Sequence, residues 1–402
     1  MRPFGEVMSL DAARAILDMT GQPISRTETI PMTEATGRVL ARDVVASTDV
    51  PPFSRAGMDG YAVRAIDTRG ASRSAPRTLK LAGTLFTGQV ATAPVASGEC
   101  LEISTGAPMP EGADAVIMVE ETEREDGQVT IFAEVQPRQH VGQRGADIPA
   151  GHVVVSAGET INSSRLGALA AVGNSQVEVF AKPRVAIAST GNEIVEPGQP
   201  LQPGQIYDIN RFTLSSVVAE NGGLPCALPP APDRLDALIA SLERSAVDSE
   251  MVVFSGGSSV GERDLIRDAI AARGELLFHG LAVKPGKPTG LGIVNGTPVF
   301  AMPGYPASCL SNAHVLLVPV LRRIARLQPR ARNSITLPLS RRVTSAAGRH
   351  QFLTVRVENG QAIPAFKASG DITSMSRADG YIEIPVDAIL VEAGTPVDVV
   401  LF

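Results

Sequence analysis

Tryptophan is absent from this chain and aromatic residues make up only 4% of it, which leaves little with which to stack nucleic-acid bases. Cysteine is scarce: Cys100, Cys226 and Cys309 are odd in number and far apart, which excludes a disulfide framework and a CxxC metal cluster. The five histidines form no HxxxH pair, so a zinc site built from protein ligands is not expected. Excess positive charge is also missing. With 36 basic and 42 acidic residues the net charge is −6, which argues against nucleic acid as a partner. The longest apolar run, His314 to Leu321, is broken by Pro319 and ends at Arg322 and Arg323, well short of the ~20 residues of a membrane span. The start, MRPFGEV, has no apolar signal region, and the expectation is a cytoplasmic protein with no membrane partner. Lysine is rare as well, with five (80, 182, 284, 287, 367) among the 36 basic residues.

At 402 residues the chain is long enough for roughly two to four domains and a buried core that needs no staples. Leu10, Ala13, Ile16 and Leu17 share one face of a short helix over 9–20, with Gly21 as its stop. Residues 51–135 read as β-rich, with apolar runs at 79–85, 99–104, 114–119 and 129–133 and a hairpin turn at Asp126-Gly127. A helix is expected over 163–172, capped by Ser163 or Ser164 and closed by Gly173.

From 184 the pattern becomes alternating strand and helix. Strands are expected at 184–190, 225–229, 251–254 and 276–283. Helices are expected at 210–220 (cap Asn210, stop Asn221-Gly222), 233–246, 263–273 and 307–326, with an Asn295-Gly296 turn between two short strands. Such alternation specifies a doubly wound, mostly parallel α/β sheet. After Pro329 short strands return, as in a small closing β domain. The expected division is an elongated linking domain (1–50 and 140–183), a β-rich inserted domain (51–139), an α/β domain (184–327) and a C-terminal β-barrel-like domain (328–402).

In an open α/β sheet, ligands bind beyond the carboxyl ends of the strands. Those ends carry SerThrGlyAsnGlu (189–193), ProAlaProAsp (230–233), SerGlyGlySerSerValGlyGluArgAsp (255–264), LysProGlyLysPro (284–288) and MetProGlyTyrPro (302–306). Each could be an ordinary tight turn; five on one sheet edge point to a site. In the 255–264 loop, Gly256 and Gly257 allow close backbone approach, and free N–H groups at the helix start suit a phosphate. It is neither a Walker A loop nor a GxGxxG fingerprint. Lys284 and Lys287 are compact cations on a rigid turn, suited to an oxyanion. Glu193, Asp233 and Asp264 would repel a phosphate unless a hard cation such as Mg²⁺ lay between them. The plainer role for each is capping a helix N-terminus, worth about 0.3–1 kcal/mol. For Asp233 capping is adequate alone, whereas Glu193 has no helix close behind it.

MetAspGlyTyrAla (58–62), SerThrGlyAlaPro (104–108), ArgGlyAlaAspIle (144–148), GlnIleTyrAspIleAsnArg (205–211) and the sheet-edge loops stand together in one order. In this the chain resembles, over essentially its whole length, the MoeA family of molybdopterin molybdenumtransferases, related to the E domain of gephyrin. The resemblance implies a MogA-like α/β domain within a multidomain chain. It implies molybdenum cofactor biosynthesis, in which adenylylated molybdopterin and molybdate give the cofactor and AMP with Mg²⁺ assisting. It further implies Asp59, Glu193, Asp264 and Lys284 as catalytic residues. Thr105, Asp147, Asp233, Pro303 and Pro306 are implied to meet substrate, beside Gly256, Gly257, Ser258 and Lys287, with Glu193, Asp264 and Asp233 near the metal. Finally it implies a homodimer whose active site is shared between chains. Gly280, Tyr305 and the Arg55-Ala56 pair depart from the residues common in the family. A non-catalytic dimeric scaffold and a molybdopterin adenylyltransferase stay open as alternatives; the acidic residues favour catalysis over the first, and the segments outside the sheet domain argue against the second.

Overall fold

The computed structural model describes residues 7–256 and 264–402. Backbone contacts divide the chain into two compact units, one of Thr29–Thr36 and Leu40–Glu178, the other of the residues up to Glu28, Gly37–Val39 and Val179–Phe402.

The unit centred on 40–178 is built on a six-stranded sheet in the order Ala115–Met118, Gly60–Val63, Glu99–Ile103, Arg77–Leu85, Gln128–Ile131, Thr122–Glu125. Its pairings are antiparallel except that of Arg77–Leu85 with Glu99–Ile103. Both faces of the strand Gly60–Val63 are buried: Tyr61 and Val63 pack with Leu79, Cys100, Ile117, Val129 and Ile131, while Ala62 packs with Ala56, Leu85, Ile103 and Val116. The Asp126-Gly127 turn has φ of +44° and +77°, both left-handed as a two-residue hairpin of matching twist requires. The helix Ser163–Ala171 is capped one residue earlier than expected, because Asn162 accepts the Arg165 N–H at 2.9 Å.

In the other unit, Leu224–Ala227, Arg184–Ser189, Met251–Ser255 and Thr297–Met302 lie parallel in that order. Gly290–Val294 then runs antiparallel to Thr297–Met302, and Glu275–His279 antiparallel to Gly290–Val294. The sheet is mostly parallel as expected, with three of its five pairings parallel, and it is mixed because the Asn295-Gly296 turn (φ +51° and +81°) closes a hairpin inside it. Strand alternation buries apolar side chains on both faces. Val185, Ile187, Met251, Val253, Phe300 and Met302 pack under the helices Leu10–Met19, Asn210–Glu220 and 306–324. Ala186, Ala188, Val252, Phe254, Val299 and Ala301 pack under Leu235–Asp248 and Leu265–Arg273. The run 306–324 is two α-helical segments, Pro306–Asn312 and Val318–Ile324, joined by a π turn at Ala313–Leu317. Pro319 follows the wide turn and has no N–H to return to Val315.

The strand expected over 276–283 is two. Glu275–His279 stays in the α/β sheet, Gly280 turns the chain at φ +94°, and Val283–Lys284 joins a second sheet, parallel to His350–Gln351. That sheet runs Val283–Lys284, His350–Glu358, Gly380–Ile384, Pro396–Leu401, Ser334–Pro338. Gln361–Pro364 pairs with His350–Glu358, and a bridge from Leu339 to Ala362 curls the sheet into a half-barrel.

Candidate active site

The carboxyl ends of the parallel strands are tied into one surface by backbone bonds. Thr190 N–H donates to Ser255 O at 2.8 Å, Ala231 N–H to Ser189 O at 2.8 Å, and Gly256 N–H to Met302 O at 3.2 Å. A Cβ on Gly256 (φ +106°) would lie 2.3 Å from Thr190 O, and one on Gly304 would lie 3.4 Å from the Gly256 Cα. At 256 only glycine allows this approach, whereas a Cβ at 304 would make an ordinary contact. Gly257 and Ser258 lie outside the described residues.

Glu193 and Asp233 are brought together on this surface. The Glu193 carboxylate folds back over Gly191, where a Cβ would lie 2.6 Å from Oε2. Burial, and then the Glu193 charge, push the Asp233 carboxyl above its usual range, while an N–H of Asn192 pulls the other way. Asp233 does not cap the following helix, contrary to the plainer expectation. That helix begins at Leu235 behind Arg234 and has no side-chain cap.

Asp264, by contrast, does cap. Its Oδ1 accepts the Arg267 N–H at 3.0 Å, and its Oδ2 lies 2.8 Å from His279 Nε2. Among the described residues no three His, Cys, Asp or Glu side chains form a metal-binding group. The mutually repelling Glu193–Asp233 pair fits a hard divalent cation that takes two carboxylates and fills its shell with water and substrate oxygens. Both oxygens of Asp264 already have partners.

Lys284 and Lys287 flank Pro285 and Gly286 on a loop held from within the protein. Leu281 N–H donates to Lys287 O at 2.8 Å and Gly280 N–H to Thr289 O at 3.0 Å. Pro303 is buried at the end of its strand, and Pro306 opens the helix Pro306–Asn312, where a missing N–H costs nothing. Tyr305 between them is 67% exposed, and the Ala307 N–H donates to Ser369 O at 3.1 Å.

Several buried polar groups at this edge were not singled out from the sequence. Asp208 accepts the Ser189 hydroxyl at 2.7 Å and the Arg211 N–H at 3.1 Å. It thus does the capping expected of Asn210, and it pairs with Arg211 Nε at 3.3 Å. Arg211 also pairs with Glu196. Asn210 turns instead to Gly304, donating from Nδ2 to its carbonyl at 2.8 Å. Its Oδ1, and the hydroxyl of Thr190, are buried without a hydrogen-bond partner. Ser255 Oγ, at the end of the adjacent strand, is a third such atom; unmet buried polar atoms are few in native proteins, and these three gather at the strand ends. Burial pushes the Cys309 thiol beneath them, and that of Cys100, up to about 12. Neither is a thiolate nucleophile at neutral pH.

The second group of expected site residues lies in the other compact unit. Asp59 Oδ1 accepts the Thr105 N–H at 2.7 Å. That bond, with the Thr105 hydroxyl, holds the exposed Asp59 carboxyl below its usual range. Gly60 permits the turn, since a Cβ there would lie 1.9 Å from Ile117 O. Asp147 is exposed on a loop whose anchor is Asp49, which accepts Arg144 Nε at 2.6 Å and the Ala150 N–H at 2.8 Å. Asp59 and Thr105 are thus brought together, as are Glu193 and Asp233, and each group stands within its own unit.

Sequence models of known families match nearly all of the chain: the MoeA N-terminal region (domains I and II) over residues 8–173, a probable molybdopterin binding domain over 186–323, and the MoeA C-terminal region (domain IV) over 336–402. The chain belongs to the MoeA family. A molybdopterin molybdenumtransferase 2 of Mycobacterium tuberculosis is 36% identical over 380 residues, 92% of this chain and 94% of the relative. A molybdopterin molybdenumtransferase of Haemophilus influenzae is 34% identical over 320 residues, 79% of this chain and 78% of the relative. Among solved structures, a molybdopterin biosynthesis MoeA protein from Pyrococcus horikosii superposes with a TM-score of 0.86 at 40% identity, covering 98% of this chain and 99% of that one. The multidomain MoeA fold, with its MogA-like domain and C-terminal domain, is therefore the fold of this chain. No helix among the described residues is long and apolar enough to cross a membrane.

Proposed function

We propose that this protein is a molybdopterin molybdenumtransferase of molybdenum cofactor biosynthesis, which takes adenylylated molybdopterin and molybdate and yields molybdenum cofactor and AMP. The observation that carries the reading is the Glu193–Asp233 pair, which has no capping duty, beside glycine turns and a loop with two of the chain's five lysines. Membership of the MoeA family supports it.

On this reading Lys284 and Lys287 hold the negative phosphoanhydride as point charges. The turns at Gly256 and Gly304, held together at the strand ends, form the surface on which the substrate lies. Glu193 and Asp233 would hold Mg²⁺, which supplies Lewis-acid polarisation of the phosphoanhydride when bound. Asp264, oriented by His279 and the Arg267 N–H, serves the same edge as an acceptor. The scarcity of cysteine and histidine around the site is consistent with this chemistry, because the dithiolene of molybdopterin supplies the sulfur ligands to molybdenum.

Asp59, Thr105 and Asp147 complete the site from a second copy of the chain in a cytoplasmic homodimer. What supports this is the family resemblance and the separation of the two residue groups into different compact units. The four-domain division, with boundaries near 50, 139, 183 and 327, belongs to the same reading. The test is nucleotide accounting on purified protein. Release of AMP from adenylylated molybdopterin supports the transferase, consumption of ATP with molybdopterin indicates an adenylyltransferase, and neither indicates a scaffold.

A further inference from the structure

Asn312 takes no part in the site as described, yet it is 1% exposed and its side chain is spent on the lysine loop. Its Nδ2 donates to Gly286 O at 3.0 Å and to Thr289 Oγ1 at 2.7 Å. The Thr289 hydroxyl, itself fully buried, donates in turn to Gly286 O at 2.9 Å. The three groups close a triangle in which each proton has one destination, so the amide orientation is determined. Fit is as tight as bonding: with Gly286 at φ +93°, a Cβ there would lie 2.2 Å from Asn312 Nδ2. Asn312 is the last residue of the α-helical segment Pro306–Asn312, just before the π turn Ala313–Leu317. Such a wide turn is an uncommon element that clusters at functional sites. The helix that starts at Pro306, beside the strand end of the site, thus reaches back to hold the loop carrying Lys284 and Lys287.

We infer that Asn312 is a positioning residue for the oxyanion-binding lysines, acting through Gly286 and Thr289 to fix where the two ammonium groups stand. The inference rests on the reading of that loop as the phosphate-binding part of the site. A buried amide that serves only the core would be satisfied by any partner. This one puts one proton on Gly286, between the two lysines, and the other on Thr289, two residues past the second, while its Oδ1 has no partner. Electrostatic binding depends on a preorganised charge. A turn released from the amide would keep its lysines and lose their placement.

The test uses the full-length protein and AMP, the nucleotide product, as the probe in calorimetric titration well below the unfolding transition. Lys284→Ala is expected to weaken AMP binding about tenfold, equivalent to one lost charge-assisted contact. Asn312→Ala should weaken it at least threefold with a shallower dependence on salt, although no charge has been removed. The double variant should lose less than the sum of the two single losses, because the part of the amide's effect that acts through Lys284 is already gone and only the part through Lys287 remains. Thr289→Val, which keeps the shape and removes the hydroxyl, should reproduce the Asn312→Ala effect and carries the test if Asn312→Ala does not fold. Wild-type affinity and salt dependence in Asn312→Ala or Thr289→Val, or additive losses in the double variant, would overturn the inference. Wild-type affinity in Lys284→Ala would overturn the reading of the loop, and the inference with it.

Discussion

Replacing Gly256 by alanine places a methyl group where two strand ends meet. The added Cβ would stand 2.3 Å from Thr190 O and 2.9 Å from Thr190 Oγ1, at a φ of +106°. Ordinary carbon contacts begin near 3.4–3.5 Å, so the two backbones must part by about 1 Å. Parting them breaks the 2.8 Å bond from Thr190 N–H to Ser255 O and shifts the turn that carries Glu193. Left-handed strain costs about 1–3 kcal/mol and the lost bond about 1 kcal/mol. The sum of roughly 2–4 kcal/mol lowers the transition of this unit by about 5–15 °C, at roughly 2–4 °C per kcal/mol for a domain of this size. Turnover should fall further than stability, since a displacement of about 1 Å at a site costs about a hundredfold. Scanning calorimetry and cofactor formation, assayed well below the transition, measure both. An alanine variant with unchanged melting and full turnover would refute the claim that this close approach builds the site.

Asp59→Asn, Glu193→Gln and Asp264→Asn should each lower cofactor formation tenfold or more in folded protein, and the last of these keeps a side-chain oxygen that can still cap the helix. Full turnover in all three, with far-UV circular dichroism unchanged, contradicts the site assignment. Lys284→Ala should raise the dissociation constant for adenylylated molybdopterin, and added salt should weaken the wild type in the same direction. Unchanged affinity on titration makes the loop purely structural. Co-expressing Asp59→Asn chains with Asp264→Asn chains should restore activity, because a mixed two-fold dimer has one site with both defects and one with neither. Mixed dimers as inactive as their parents would place the complete site in a single chain.

Local chemistry made much of this fold legible. Asp126-Gly127 and Asn295-Gly296 mark their hairpins because such pairs tolerate two left-handed residues in succession, and Asn221-Gly222 marks the end of the helix Asn210–Glu220. Capping was less legible, since chain position does not say which N–H a side chain faces. Asp233 stands just before a helix and turns to Asn192 instead, while Asp208, two residues before Asn210, takes the Arg211 N–H. The stretch 276–283 reads as one strand because both halves are apolar. Its division depends on Gly280 and on pairing with His350–Gln351, far along the chain. The site's carboxylates and lysines could be read from the loops at the strand ends. The groups that position them, His279 on Asp264 and Asn312 on Gly286, are joined through space, and no spacing rule brings them together.

The most direct measurement of the central claim is the release of AMP from adenylylated molybdopterin by the purified protein, with and without molybdate and with Mg²⁺ present. The account predicts molybdate-dependent AMP release with matching formation of molybdenum cofactor, lost when Glu193 is replaced by glutamine. No AMP release, or release that neither molybdate nor the Glu193→Gln change affects, would contradict it.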